Sequence, residues 1–147
     1  MKIHIATDHA GLEMKNLICK YLIDQGHTLI DHGAHKYDPL DDYPDFIFPC
    51  AVAVSKDLDS RGIILGGSGQ GEAIAANRIK GIRAAVYYSG PIDIIKLSRH
   101  HNNANILSLG ARFLTKQKMF EVIVIWLSES FEGGRHQRRI DKLDIKS

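Results

Sequence analysis

Several things are scarce in this chain of 147 residues, and each scarcity removes a class of function. There are only two cysteines, Cys19 and Cys50, with no CxxC spacing. A disulfide scaffold, a thiolate metal site and a dithiol redox centre are therefore not expected, and buried free thiols in a reducing compartment are. Aromatic residues make up 7% of the chain and do not interleave with basic clusters, which argues against a nucleic-acid partner. No apolar run approaches the length of a membrane span, and Met1-Lys2-Ile3-His4-Ile5-Ala6 lacks the apolar core of a signal peptide. Charge of one sign is also lacking: the net charge is +2, so any anion site must be local. A cytoplasmic protein with no membrane partner is expected.

What is present reads as one domain. The hydrophobic fraction of 44% and charged fraction of 24% are ordinary globular values, and 147 residues are enough to bury a core. There is no repeat, low-complexity stretch or linker. Strand signals at 2–6, 28–31, 62–65, 83–87 and 105–109 alternate with helical patterns. The helices are expected at 12–25, from Tyr43-Pro44-Asp45 onward, from Glu72 to about residue 79, from Pro91 to 99–103, at 115–130, and from 135 to about 144. The 115–130 helix is apolar around most of its circumference, which suggests burial on two sides and hence a subunit interface. This alternation predicts an α/β fold: a Rossmann-like three-layer α/β/α sandwich with a five-stranded, mostly parallel sheet spanning residues 1–147.

The chemistry concentrates in Arg61-Gly-Ile-Ile-Leu-Gly-Gly-Ser-Gly-Gln-Gly-Glu72. A buried strand runs into four glycines, at 66, 67, 69 and 71, and a carboxylate opens the next helix. The dinucleotide fingerprint fails, because from Gly67 the sixth position is Glu72. The nucleotide-hydrolase phosphate loop fails too, because Glu72-Ala73 stands where Lys and Ser/Thr are required. A carboxylate beside a phosphate dianion is repulsive, so the more economical reading makes Glu72 a base and the turn an oxyanion site. The alternative is an ordinary first-turn helix carboxylate.

Ligands of such folds bind beyond the carboxyl ends of the strands, which here carry Asp8-His9, the 66–72 turn and Gly110-Ala111-Arg112. Asp8 and His9 read as a polar pair at that edge or as a helix cap with a loop histidine. His100 and His101 close a helix, and neighbours on a helix diverge by about 100°, so one of them can face a given site as an acid/base. No metal-ligand spacing accompanies them, and no metal or other cofactor is expected. Arg135 and Arg139 share a helix face, and with Arg112 they suit a phosphate; a solvated basic tail is the alternative. An anchored phosphate, a carboxylate, amide donors and a histidine are together the parts for proton abstraction next to a carbonyl.

The ordered motifs Asp8-His-Ala-Gly11, Asp42-Tyr-Pro44, Gly67-Ser-Gly-Gln-Gly71, Ile74-Ala-Ala-Asn-Arg78, Gly81-Ile-Arg-Ala84, Leu97-Ser-Arg-His-His-Asn102 and Glu132-Gly-Gly-Arg-His-Gln137 cover nearly the whole chain. With them the sequence closely resembles the ribose-5-phosphate isomerase B and galactose-6-phosphate isomerase family. The resemblance implies a cofactor-free aldose–ketose isomerase acting on a small sugar phosphate through a cis-enediolate. It implies a homodimer or homotetramer with active sites built across the dimer, and a C-terminal basic helix reaching the neighbouring subunit. By resemblance, His101 opens the furanose ring, and Asp8, Tyr43 and Asn102 bind sugar oxygens. His9, Arg112, Arg135 and Arg139 surround the phosphate, while Ser68 and the amides of Gly67, Gly69 and Gly71 stabilise the enediolate. Part of the family has a cysteine base at the position of Gly66; another part has glycine there and glutamate at the position of Glu72, as here. Ribose 5-phosphate is the leading substrate; allose 6-phosphate, galactose 6-phosphate, a tetrose phosphate and a non-catalytic sugar-phosphate-binding role are the alternatives.

Overall fold

β-Branched and leucine-rich runs alternating with amphipathic helices produce a layered α/β structure in the computed structural model, which describes residues 1–145. Residues 146 and 147 of the expected domain lie outside the described residues. The strands are β1 (Lys2–Thr7), β2 (Thr28–Asp31), β3 (Arg61–Gly66), β4 (Ala84–Tyr87) and β5 (Ile106–Gly110). The helices are α1 (Leu12–Asp24), α2 (Pro44–Ser55), α3 (Gln70–Ala76), α4 (Asp93–His100), α5 (Lys116–Ser128) and α6 (Arg135–Ile140). Strand order is β2-β1-β3-β5-β4, and every pairing is parallel, not mostly so.

Alternation along each strand divides the core. Ile63 and Leu65 face a cluster with Ile18 and Leu22 of α1, Ile95 of α4, and Met119, Val122, Ile123 and Trp126 of α5. Ile64, between them, faces the opposite cluster with Ile47, Cys50, Ala51 and Val54 of α2 and Ala75 and Ala76 of α3. Both cysteines are free, and burial pushes the Cys50 thiol far up. The chain leaves β1 toward one face through α1 and leaves β3 toward the other through α3. The ends of β1 and β3 therefore flank a crevice at the point where the winding reverses.

Three expectations shift. The helix after β3 ends at Ala76, short of residue 79, because Asn77 turns its side chain to β4 instead. Its Oδ1 accepts from Ala84 N–H at 2.8 Å and its Nδ2 donates to Ala84 O at 3.1 Å. The C-terminal helix stops at Ile140 and continues to 144 as turns held by Lys142→Arg139 and Leu143→Ile140 amide bonds. The apolar circumference of α5 is largely taken up within the chain: Phe120 stacks on Tyr21 at 4.6 Å, and Ile125 and Leu127 pack on the core, leaving Val124 exposed. Its composition alone therefore no longer argues for a subunit contact.

One buried charge ties α1 to the sheet. Lys15 is fully buried, and its ammonium donates to Asp31 Oδ2 at 2.5 Å, while Asp31 Oδ1 accepts from Gly33 N–H at 2.9 Å. Removing the carboxylate strands a cation in the core, whereas removing the ammonium leaves the part-exposed Asp31 carboxylate still bonded to Gly33 N–H. Asp31→Asn is expected to destabilise by about 3 kcal/mol and Lys15→Met by clearly less. Urea unfolding of the two variants checks the order.

Candidate active site

At the crevice, β3 ends at Gly66 and the chain turns through residues 67–69 into α3. Gly69 takes a φ of 80°, a left-handed conformation open to glycine, and its carbonyl accepts from Ser108 Oγ at 2.6 Å. Gly110 lets the turn lie directly on β5, since a Cβ there would stand 2.7 Å from the Ser68 carbonyl oxygen. Ser68 Oγ accepts from Gln70 N–H at 3.2 Å, which leaves its own hydroxyl proton free to donate.

Glu72 sits in the first turn of α3 and folds its side chain back against the end of β3. A Cβ built on Gly66 would lie 1.8 Å from Glu72 Oε1. The carboxylate fills the space that any side chain at position 66 would occupy. It is only 5% exposed, and burial raises its pKa above the ordinary glutamate value. Asp8 pushes in the same direction and the residue's own amide N–H opposes, so desolvation prevails over the helix-terminal donors. A carboxyl so placed is suited to take and return a proton near neutral pH.

The other predicted groups at this edge surround it. Asp8 caps the 3₁₀ turn His9–Gly11 by accepting from Ala10 N–H at 3.0 Å, so its capping role is real and coexists with its place beside Glu72. The Arg112 guanidinium lies over Gly67, 3.0 Å from where a Cβ would be, and the Tyr43 ring lies over Gly71 at 2.8 Å. Gly67 and Gly71 are thus required for side chains to approach the turn closely.

His9 has a partner that sequence reading missed. Asp41 Oδ1 contacts His9 Nδ1 at 2.6 Å and accepts the His9 backbone N–H at 3.1 Å. The Asp41 hydrogen bond, aided by Asp8, raises the His9 pKa against burial and Arg112 and so favours its cationic form. Asp41 lies in the 33–42 loop with no periodic pattern around it, so only the folded loop identifies it.

His101, Asn102 and Arg139 are not at this edge. They line a separate pocket of about 240 Å³ with His136, Ile140 and Leu143. Helix α4 runs back along the sheet, so its C-terminal end, with His101, lies level with the start of β5. The link is direct: Asn105, four residues on, donates its N–H to Arg83 O and accepts from Gly62 N–H at the strands' opening residues. Within one chain, the length of a five-residue strand, about 17 Å, separates this level from Glu72. His101 stacks on His136 at 4.3 Å, and His136 is held below its ordinary pKa by burial, with His101 and Arg135 adding to the effect. His100 turns away to Glu129 at 2.6 Å, so of the two neighbours it is His101 that faces a pocket. Arg135 opens α6 beside His136.

Two clusters have donor atoms close enough to share a metal ion: Asp8, His9 and Asp41, and His101, Glu132 and His136, each within 4.8 Å. Cationic neighbours oppose a metal at both: Arg112 beside the first, Arg135 and Arg139 beside the second.

The sequence matches the Ribose/Galactose Isomerase family over residues 3–143. It is 43% identical over 142 residues to a probable ribose-5-phosphate isomerase B of Mycoplasma genitalium, covering 96% of this chain and 92% of that one. It is 41% identical over 144 residues to ribose-5-phosphate isomerase B of Mycobacterium tuberculosis, covering 97% and 88%. Among solved structures, ribose-5-phosphate isomerase B of Mycoplasma genitalium with bound ribulose 5-phosphate superimposes with a TM-score of 0.92 at 43% identity, over 97% and 93% of the two chains.

The contact between Gly66 and Glu72 is open to a direct test. In Gly66→Ala the new Cβ meets only the end of a side chain, so the protein is expected to fold with a loss of about 1 kcal/mol. The carboxylate is pushed out of its pocket, and its pKa falls toward the ordinary glutamate value. Carboxyl-carbon NMR titration of Glu72 in the two proteins reads that fall.

Proposed function

The chain belongs to the ribose/galactose isomerase family, and from that premise we propose that it interconverts ribose 5-phosphate and ribulose 5-phosphate. The observation that carries this reading is the buried Glu72 carboxylate at the switch point, after a turn that carries Ser68 and that Arg112 overlies at Gly67. The phosphate is bound by His9, Arg112, Arg135 and Arg139, and the sugar oxygens by Asp8, Tyr43 and Asn102. His101 moves the ring proton and opens the furanose. Glu72 then removes the proton from C2, and negative charge develops on the carbonyl oxygen. The Ser68 hydroxyl and the amides of the 67–71 turn hold that charge as the cis-enediolate, and Glu72 returns the proton to C1. Such a proton shuttle needs no redox or group-carrying cofactor.

This assignment requires two copies. Glu72, Asp8, His9, Tyr43 and Arg112 gather at the carboxyl edge of the sheet, whereas His101, Asn102, Arg135 and Arg139 gather near the amino edge. A pentose phosphate cannot span about 17 Å, so one substrate meets both sets only if a second copy places its amino-edge set over the first copy's crevice. A homodimer with two composite sites follows, with α6 reaching the partner; two such dimers would make a tetramer without altering the sites.

Conversion of ribose 5-phosphate is the first measurement, with allose 6-phosphate, galactose 6-phosphate and a tetrose phosphate alongside. Glu72→Gln is expected to lower kcat by about 10²–10⁴-fold with little change in KM. Because the base acts deprotonated and its pKa is raised, the acid limb of kcat/KM should lie above the ordinary glutamate range. Full activity in the variant would return Glu72 to the role of a helix carboxylate. No turnover by the folded natural protein on any of the four would favour a sugar-phosphate-binding module.

Composite sites make a second prediction. Glu72→Gln and His101→Asn should each be inactive alone, yet unfolding and refolding them together should restore about a quarter of natural activity. Half of the dimers are then mixed, and each mixed dimer has one site with both groups intact. No recovery in the mixture would overturn the two-copy arrangement.

A further inference from the structure

The amino edge of the sheet carries a feature that the isomerase reading leaves unused. Where β3 begins and just before β4 and β5, a depression of about 400 Å³ is lined by Arg61, Arg83, Arg99, Asn103 and Asn105 together with Asp57 and Asp59. It shares no residue with either half of the active site. Three guanidinium groups converge on it, from β3, from the segment before β4, and from α4.

Each guanidinium is held by carbonyl oxygens rather than by a carboxylate. Arg61 Nη1 donates to Trp126 O at 3.0 Å and Leu127 O at 3.2 Å, with its guanidinium 5.3 Å from the centre of the Trp126 ring. Arg83 donates through Nε to Asn103 O at 2.9 Å and through Nη1 to Gly81 O at 3.2 Å. Arg99 donates through Nε to Glu129 O at 3.2 Å and through Nη1 to Ala104 O at 2.7 Å and Asn103 Oδ1 at 2.9 Å. These bonds engage Nε and Nη1, and none of the three Nη2 groups has a protein acceptor among the described residues. Nor does any of the three form an ion pair among them.

Capping of chain ends explains the carbonyl bonds but not the convergence of three like charges. Arg99 is 5% exposed, and burial together with Arg61 and Arg83 pushes its pKa down to about 10. Of the two carboxylates in the lining, Asp57 is engaged by Lys2 at 3.0 Å, which leaves Asp59 against three guanidinium groups. Asp144 favours the Arg83 charge from a distance. The depression is thus an excess of preorganised cation, positioned before any anion arrives, with planar donors suited to phosphate oxygens.

We propose that this depression is a second anion site that takes the oligophosphate group of a small molecule, whose several phosphate oxygens suit planar donors arriving from three segments.

The test is a titration of the ¹⁵N-labelled full chain with inorganic pyrophosphate, read at the Nε–H signals of Arg61, Arg83 and Arg99. Saturable shifts at all three are expected, with pyrophosphate binding about tenfold or more tighter than sulfate. The shifts should persist in Arg112→Gln, which separates them from phosphate held at the active site. Arg61→Gln/Arg83→Gln should weaken binding at least tenfold with an unchanged backbone spectrum, and Arg83→Gln alone serves if the double variant does not fold. Adenosine diphosphate in parallel separates the free anion from an esterified one: a tighter Kd than pyrophosphate marks a nucleotide-type ligand, a weaker one the bare anion. Absent shifts at the three arginines, or equal unsaturated responses to pyrophosphate and sulfate, would overturn the site.

Discussion

The site depends on one exchange of volume. The Glu72 carboxylate lies where a side chain at position 66 would otherwise be, 1.8 Å from an ideal Cβ. Position 66 can therefore carry a side chain of its own or receive the carboxylate of residue 72, but not both. This is a physical reason for the two patterns that the family resemblance describes, a cysteine at the one position or a glutamate at the other. Either arrangement puts one ionisable side chain at the end of β3. The same contact excludes water from the carboxylate, and that desolvation outweighs the stabilising donors of the helix end. Packing and acidity are thus set by a single missing side chain.

The surrounding shell extends that principle. Gly67 and Gly71 are open so that Arg112 and Tyr43 can lie on the turn, and Gly69 and Gly110 are open so that the turn can lie on β5. Backbone groups replace side chains as the inner wall of the crevice, which puts N–H donors close to where charge would develop in the proposed reaction. Asp41 then fixes His9 at the rim and favours its cationic form.

The two edges of the sheet have different electrostatic roles. The carboxyl edge gathers Asp8, Asp41 and Glu72 with His9 and Arg112, and the amino edge gathers His101, His136, Arg135 and Arg139 beside Glu132. Two copies packed edge against edge would bring unlike sets together, which fits a site divided between them. The Arg61, Arg83 and Arg99 cluster stands apart from that exchange, tied to carbonyl oxygens within its own chain.

Periodicity and composition were enough for the element order and the α/β class, because alternating burial leaves a direct trace in each strand and helix. Glycines that fit no nucleotide motif, followed at once by a carboxylate, mark Glu72 as a candidate base, but that stretch alone reads more readily as a first-turn helix carboxylate, and the family resemblance is what favours the base. Helix ends were less legible, since Asn77 ends α3 through a bond to β4, seven residues away, and no local pattern encodes it. Asp41 and the arginine cluster were invisible because their partners come from other segments, and the second side of α5 is covered by α1 of the same chain, Tyr21 against Phe120, which no local pattern encodes. The chain by itself determined which groups exist and which ends of the strands carry them. Only the tertiary structure decided that Glu72 is buried against Gly66 and that His101 lies a strand's length away, because distances between segments arise from how layers pack.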